Sequence, residues 1–543
     1  MNATLVVDLN LAVLAVPLVD SPVVIFPTSP HTSAHCEHNG PVNHTPLTFG
    51  TAGLRGPMRE GLDAMNVTTV SRATWAVAQV LKDRCLGGST VVVGRDARHH
   101  SDEFATATAE IFAAEGFSVI LLPHPAPTPV VAYAVRQLDA VAGVQITASH
   151  NPPADNGYKV YFDGGIQIVP PTDRDIETAM RQAPTGIARQ PVTPVDETLI
   201  EQYARRAGSL RRTQGEVRVA LTAMHGVGGA LAIDVLNRAG ISDIRTVATQ
   251  FEPDPDFPTV AFPNPEEPGA TDLLLALAAE AGAEVAIALD PDADRCAVGI
   301  PTTSGWRLLS GNETGWLLGD YLLSNLTPEE AATTVVASSL VSSQLLAKIA
   351  ADHGAHHVET LTGFKWLARA DQDIPGATLR YAYEEAIGHC VDPDAVRDKD
   401  GISAAVVFCD LVVALRHQGQ SVQDRLDALA TKFGVHVTGA VSVHTDADAV
   451  MARLRAEPPA QIAGVPVRIE DLAELRGKRR TDALVFTGGG LRVAVRPSGT
   501  EPKIKCYIEV SKPPTADLAT GRTSAAAELR DVEAVVTGLL APA

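Results

Sequence analysis

The sequence predicts an α/β protein, with three consecutive mixed α/β domains plus a smaller C-terminal α+β domain around a central cleft. Three observations carry that reading. The chain has 543 residues, too many for one hydrophobic core, and about 150 residues per domain suggests three or four domains. Beyond residue 46, short apolar runs of strand length alternate with longer runs of helical periodicity, and the pattern recurs three times. From about residue 432 the rhythm turns to strands with fewer helices.

Residues 47–208 form the first expected domain. STVVVGRD (89–96) reads as a strand, SDEFATATAEIFAAEGF (101–117) as a helix, SVILLP (118–123) as a strand, and AVAGVQI (140–146) as a buried strand running into a polar loop. Residues 209–308 repeat the pattern with EVRVALTAM (216–224), GGALAIDVLNRAG (228–240), DIRTVAT (243–249), TDLLLALAAEAG (271–282) and AEVAIALD (283–290). Gly226, Gly228 and Gly229 read as a tight βα turn and not as a dinucleotide fingerprint, because Leu231 takes the last position that needs glycine. Residues 309–431 repeat it again with TTVVASSL (333–340), SQLLAKIAADHG (343–354) and ATLRYAY (377–383). Residues 432–543 hold the strands HVTGAVSVHT (436–445), ALVFTGG (483–489), LRVAV (491–495) and KIKCYIEV (503–510).

Each expected domain carries one loop with its own chemistry. In TASHNPPADNGYKVY (147–161) a serine stands beside a histidine. Asn151-Pro152-Pro153 keeps a helix from starting at once, so Ser149, the expected phosphoryl carrier, is placed on an exposed strand-end loop with Lys159 returning toward it. ALDPDADR (288–295) brings Asp290, Asp292 and Asp294 to alternate positions after an apolar strand, and hard oxygen ligands suit Mg²⁺. A calcium-binding loop does not fit, since Arg295 stands where glycine is needed, Pro301 where the last glutamate is needed, and Pro291 stiffens the start.

RPSGTEPKIKCY (496–507) offers a guanidinium fork, two hydroxyls and a close backbone in Arg496, Ser498, Gly499 and Thr500, the makings of a phosphate cradle. In YEEAIGHCVDPDAVRDKDGISAA (383–405), Glu384 and Glu385 present carboxylates to sugar hydroxyls, and Arg397 and Lys399 add positive charge for a phosphate. Taken singly, each segment also reads as an ordinary turn or a solvated acidic surface. Their company in this order gives them weight.

With FGTAGLRG (49–56) ahead of them, these segments resemble the α-D-phosphohexomutase superfamily of phosphoglucomutases and phosphomannomutases, over nearly the whole chain from Leu47. DPDFPTVAFPNPEEP (254–268), WRLLSGNETGWLLGDYL (306–322) and ETLTGFKW (359–366) are most similar to its phosphoglucomutase and phosphopentomutase branch. The resemblance implies an isomerase that moves phosphate between carbons 1 and 6 of a hexose, or 1 and 5 of a pentose. Phospho-Ser149 would donate to the free hydroxyl, and a sugar bisphosphate such as glucose 1,6-bisphosphate would turn and return its other phosphate. Glucose phosphate with additional pentose phosphate activity is the first expectation, and mannose phosphate the alternative.

Carried over by residue, the resemblance implies that Ser149, Asp290, Asp292 and Asp294 hold Mg²⁺. Arg55, His150 and Lys159 would surround the transferring group and assist proton movement, and Lys399 would act as an acid/base or phosphate contact. Arg295 would face the same centre, Thr362, Gly363 and Lys365 would choose sugar orientation, and Glu384 would bind sugar hydroxyls. Arg496, Ser498, Gly499 and Thr500 would hold the distal phosphate. Hexose-specific relatives mostly carry serine where this chain has Ala386, so Ala386 and neighbouring Ile387 are expected to widen the acceptor range toward pentoses.

A formal net charge of −20 excludes a nucleic-acid or anionic-membrane surface, so affinity for small-molecule sugar phosphates has to be local. The six cysteines, at 36, 85, 296, 390, 409 and 506, form no Cys-x-x-Cys pair. Reduced thiols and a cytoplasmic monomer or homodimer are expected. LNLAVLAVPLVDSPVVIF (9–26) lacks a basic start and is interrupted by Pro17 and Asp20, which argues against both a signal peptide and a membrane span. HTSAHCEHNGPVNH (31–44) reads as a flexible connector in preference to a metal cluster, and residues 1–46 as a divergent or poorly ordered leader. Among other classes, a phosphatase would leave the distal phosphate loop without a purpose, and a sugar-phosphate sensor would not need Ser149 with three aspartates. A serine hydrolase would need glycines flanking Ser149.

Overall fold

The computed structural model describes residues 46–50, 53–162, 164–498 and 503–541. The expectations for the leader, including the 31–44 segment, fall outside the described residues.

β1 (Leu54–Pro57), β2 (Thr90–Arg95), β3 (Ser118–Leu121), β4 (Ala142–Ile146), β5 (Asp155–Phe162) and β6 (Ile166–Gln167) build the first sheet, in the order β1-β5-β4-β2-β3 with β6 on β5. β2 runs parallel to β3 and β4, whereas β5 is antiparallel to β4 and β1. α1 (Val67–Asp83), α2 (Ser101–Ala114), α3 (Thr128–Gln137) and α4 (Thr172–Gln182) accompany it. Alternation along β2 explains why it is apolar throughout. Val91 and Val93 enter the core that holds Val70 and Phe104, while Val92 enters the core of α3 with Val131.

The second sheet consists of β7 (Val219–Thr222), β8 (Ile244–Thr246), β9 (Val285–Leu289), β10 (Cys296–Thr302) and β11 (Gly305–Leu308), ordered β11-β10-β9-β7-β8. Its helices are α5 (Thr198–Gly208), α6 (Gly229–Arg238) and α7 (Asp272–Ala281). α5, placed at the end of the first domain by the sequence reading, packs on both α3 and α6.

In the third domain β12 (Thr334–Ser339), β13 (His356–Thr360), β14 (Thr378–Glu384) and β15 (Gly388–Cys390) take the order β13-β12-β14-β15. They lie among α8 (Gly311–Ser324), α9 (Pro328–Ala332), α10 (Leu345–His353), α11 (Phe364–Leu367), α12 (Gly401–His417) and α13 (Val422–Phe433). α8 starts at a reciprocal cap in which Ser310 accepts the Glu313 N–H and Glu313 accepts the Ser310 N–H.

The fourth domain joins β16 (Val435–His444), β19 (Arg468–Asp471), β20 (Leu484–Gly488), β21 (Leu491–Pro497) and β22 (Lys503–Lys512) in an antiparallel sheet, β16-β22-β21-β20-β19. β17 (Gln461–Ile462) and β18 (Val465–Pro466) form a small hairpin, and α14 (Ala447–Ala456) and α15 (Leu518–Leu540) cover the sheet. The strand-rich reading did not mark α15, 23 residues long, whose Ala525, Val532, Val536 and Leu540 are buried.

The architecture is therefore three α/β domains and a C-terminal α+β domain. β4, β9, β14 and β21 each run into one of the four loops singled out above. Among the described residues no single helix is long and apolar enough to cross a membrane. α12 and α13 reach that composition only as a pair bent by 84°, and α12 is a core helix.

Candidate active site

β4 ends at Ile146, and the next turn is fixed by Thr147, whose Oγ1 accepts the Ser149 N–H at 2.8 Å. Ser149 adopts φ 55°, a left-handed conformation that few residues other than glycine take. It is 1% exposed, which corrects the expectation of an exposed loop. The aspartate loop of the second domain lies over it, and Ser149 Oγ donates to Asp290 Oδ2 at 2.9 Å and stands 3.3 Å from His150 Nδ1. Burial, with Arg295 and Arg55 nearby, holds the His150 imidazole well below its usual range.

The loop is clamped from behind by Arg98, which the sequence reading missed. One guanidinium nitrogen, Nη2, donates to the carbonyls of Ser149 (2.7 Å) and Asn151 (2.6 Å), and the other, Nη1, to those of Pro152 (2.8 Å) and Asp155 (3.1 Å). Asp96 Oδ2 lies 3.4 Å from Arg98 Nε. An Asp-x-Arg pair directly after β2 was the available signal.

In the aspartate loop the three carboxylates offer oxygens that all lie within 4.8 Å of one another, and all three residues are buried. Lys159 Nζ, rising from β5, donates to Asp292 Oδ2 at 2.5 Å and Asp294 Oδ2 at 2.7 Å, and Lys399 Nζ is 3.2 Å from Asp294 Oδ2. Thr128, at the start of α3, also escaped the sequence reading. Its N–H donates to the Asp292 carbonyl at 2.9 Å and its hydroxyl to Asp292 Oδ2 at 2.5 Å. Gly226 backs the loop so closely that a Cβ there would lie 2.3 Å from Pro291 Cα.

Burial, then the charges of Asp292 and Asp294, push the Asp290 carboxyl well up. Burial acts on Asp294 in the same sense but is overcome by Lys159, Lys399 and Arg295, which hold it low. Asp292 Oδ1 and Asp294 Oδ1 are buried without a hydrogen-bond partner among the described residues. An all-oxygen set with orphaned acceptors fits a hard divalent cation.

The loop after β14 is joined to the aspartate loop through the backbone. Arg295 pairs with Gly388 in an antiparallel bridge, and the Cys296 N–H donates to the Ile387 carbonyl at 3.0 Å. Glu384 Oε1 accepts the Gly363 N–H at 2.7 Å, and Gly363 has φ 113°, a conformation suited to glycine. Burial foremost, eased by Lys399, raises the Glu384 pKa. Thr362 Oγ1 is buried without a hydrogen-bond partner among the described residues, and Lys365 Nζ reaches the Gly50 carbonyl at 3.5 Å.

Glu385 turns inward, its Oε2 accepting hydroxyls of Ser339 and Ser342, each at 3.0 Å. Ile387 does not line the sugar space. It is 2% exposed and packs in the core of the second domain with Ala220 and Ala286. Arg397 also departs from expectation: it forks onto Asp371 at 3.0 and 2.7 Å and donates to the Ala368 carbonyl, so both terminal nitrogens are engaged within the third domain, while Nε is buried with no hydrogen-bond partner among the described residues.

From the fourth domain Arg496 Nη2 donates to Tyr507 OH at 3.2 Å, and Arg496 Nε is buried without a hydrogen-bond partner among the described residues. The Ser498 N–H donates to the Lys503 carbonyl at 2.9 Å, while Gly499 and Thr500 lie outside the described residues. Burial, with Glu385 close by, pushes the Tyr507 phenol up to about 12. Arg295 Nη1 donates to Glu266 Oε2 at 3.4 Å, which adds Glu266 to the residues around the cleft.

A serine under a cation-suited triad, carboxylates on a neighbouring loop and an arginine loop from another domain supply the parts of an intramolecular phosphotransferase. Enzymes of this class, the phosphosugar mutases, relocate a phosphate within a sugar. This chain belongs to the phosphoglucomutase/phosphomannomutase family: the family's α/β/α domain I matches residues 46–185, domain II 199–303, domain III 310–433 and the C-terminal domain 451–520.

A Haemophilus influenzae protein described as a probable phosphomannomutase is 44% identical over 460 residues, covering 82% of this chain and 93% of its own length. A Mus musculus phosphopentomutase is 35% identical over 526 residues, covering 86% and 84%. The crystal structure of a putative phosphomannomutase from Thermus thermophilus shares the fold, with a TM-score of 0.68 at 24% identity, covering 90% of this chain and 100% of that one. The chain is a phosphosugar mutase.

Proposed function

We propose that the enzyme interconverts glucose 1-phosphate and glucose 6-phosphate, and carries phosphate between carbons 1 and 5 of pentoses, through a phosphoserine at 149 and a sugar bisphosphate. The observation that carries the reading is the buried Ser149 Oγ, 2.9 Å from Asp290 at the edge of the triad. Asp290, Asp292, Asp294 and phospho-Ser149 would hold Mg²⁺, which supplies charge neutralisation for the phosphoryl group.

The remaining work falls to side chains. Arg98 and Thr128 position the serine and Asp292, and His150, 3.3 Å from the serine oxygen, is placed to handle its proton. Arg55, Lys159, Arg295 and Lys399 supply positive charge around the transfer. Glu384, oriented by the Gly363 N–H, receives sugar hydroxyls. Arg496 and Ser498, with Gly499 and Thr500, hold the far phosphate. The depth of Ser149 keeps water from competing with the sugar.

Ala386 supports the pentose reading because it offers no hydroxyl to the sugar, and relatives described as phosphopentomutase or probable phosphoribomutase match most of the chain. The 44% identity to a probable phosphomannomutase favours mannose phosphate as a second reading. Glucose, mannose, ribose and deoxyribose 1-phosphates, competed at equal concentration, should rank glucose and the pentoses above mannose in kcat/KM, and mannose in first place would replace this substrate assignment. Ser149→Ala should abolish turnover and the protein-bound phosphoserine signal while leaving the fold intact. Normal turnover in that variant would rule out the phosphoserine route.

A further inference from the structure

Away from the cleft, a cavity of about 180 Å³ opens between α5, α8, the β14–β15 hairpin and α12. That is more than ten times the roughly 10–15 Å³ needed to lodge one water. Three arginines line it, Arg206, Arg212 and Arg380, against Asp392 and Asp410. Both carboxylates are already engaged: Asp392 takes a bidentate pair from Arg206 at 2.7 Å, and Asp410 accepts Tyr321 OH at 2.7 Å and the N–H groups of Arg212 and Thr213.

The guanidinium groups of Arg212 and Arg380 have no ion pair or hydrogen bond among the described residues, and Arg380 Nε is shut off from solvent. Arg380 also stands at a break in strand pairing. Leu379 faces Val335 and Tyr381 faces Val336, so Arg380 is the extra residue of a β-bulge, a device that re-aims a side chain. A cavity with surplus positive charge, on a chain of net charge −20, selects anions locally.

We propose that this cavity is a second anion site, separate from the catalytic cleft, in which the forks of Arg212 and Arg380 take a phosphate group, either free or carried on a small metabolite. A guanidinium pair suits the oxygens of such a group. The site sits on the hairpin that ends in Glu384, since Arg380 and Glu384 share β14.

The test titrates the full chain with inorganic phosphate and, separately, glycerol 3-phosphate, reading the thermal midpoint. Wild type is compared with Arg212→Gln/Arg380→Gln, and with Arg496→Ala to mark the contribution of the cleft. The double variant should need at least tenfold more phosphate for the same rise, with turnover in the absence of added anion unchanged, while Arg496→Ala keeps the component that the double variant loses. An arginine-dependent response to glycerol 3-phosphate assigns the site to a phosphorylated metabolite, and one to inorganic phosphate alone assigns it to the free ion. Superimposable curves for wild type and double variant overturn the proposal. If the double variant does not fold, Arg380→Lys, which keeps the charge but not the fork, is read the same way, and an unchanged phosphate response there also overturns it.

Discussion

Replacing Arg98 by lysine tests whether the serine loop owes its geometry to one buried guanidinium. Arg98 is 4% exposed and divides four carbonyls between two nitrogens, Ser149 and Asn151 on one, Pro152 and Asp155 on the other, at 2.6–3.1 Å. A lysine ammonium is a single point that can stand near one of those nitrogen positions, so two of the four bonds are lost. At about 1.5–3 kcal/mol for each bond from a charged donor, the loop loses about 3–6 kcal/mol of restraint. If only the lower figure appears in the transition state, kcat falls by a factor of about 150, since about 1.4 kcal/mol is tenfold.

The assay is steady-state mutase turnover, with phosphoserine occupancy and the thermal midpoint measured on the same preparations. The expected result is a fall in kcat of about a hundredfold or more with KM little changed, because the sugar contacts lie on other loops. Arg98→Met should be worse, as it leaves Asp96 buried without its partner, a loss of about 3–5 kcal/mol. Arg98→Lys with kcat within about twofold of wild type and normal Ser149 phosphorylation would refute the clamp.

Exhaustive chelation should abolish turnover and Mg²⁺ restore it, with Asp292→Asn lowering Mg²⁺ affinity and rate together; full activity after chelation would mean the triad serves another purpose. Gly311→Ala puts a Cβ 1.9 Å from the Glu385 carbonyl oxygen, so the sugar loop must shift. We expect kcat/KM to drop about tenfold or more and stability by about 1–3 kcal/mol, and wild-type values for both would contradict that close fit. His389, fully buried beside Tyr381 and Tyr383, is pushed down to about 3 by burial from an ordinary 6.5. Between those values the unfolded chain binds a proton that the folded chain refuses, so stability is lost as pH falls below about 6.5, by up to about 1.4 kcal/mol per unit. Denaturant midpoints from pH 7 to 5 should fall less steeply in His389→Gln, and identical slopes would exclude this contribution.

β4 and β9 were legible as largely apolar runs because both are buried along their whole length, β14 by its alternating and aromatic residues Leu379, Tyr381, Ala382 and Tyr383, and the loops they enter announce themselves by residue type. Partners distant in sequence were not legible. Thr128 meets Asp292 across 164 positions, and nothing local to a Thr-Pro helix start points to an aspartate that far away. Arg397 looked available because Asp371, 26 residues earlier, carries no mark of its partner. Ile387 follows a polar pair and reads as part of the loop surface, yet a left-handed φ of 51° accompanies its descent into the core of the second domain. Ser149 was assigned to the surface because a single strand-end loop cannot reveal that another domain will lie over it.

The backbone bridge from Arg295 to Gly388 fixes how the aspartate loop and the sugar loop stand to each other. Beside it, a Cβ on Gly401 would lie 2.2 Å from the Arg295 carbonyl oxygen, so the junction has no slack. The walls supplied by the second and third domains are thus fastened main chain to main chain. The fourth domain meets the third through side chains, in part polar pairs such as Glu509 on Ser343 and Arg492 on Glu359 and in part an apolar cluster that sets Leu340 and Val341 against Leu472, Ala483, Val485 and Ala494. Main-chain hydrogen bonds thus run from the first domain to the second, Thr128 to Asp292, and from the second to the third, Cys296 to Ile387 and Gly401 to Ala293, so that the first three loops share one backbone frame, whereas the loop of Arg496 is set against it by side-chain contacts.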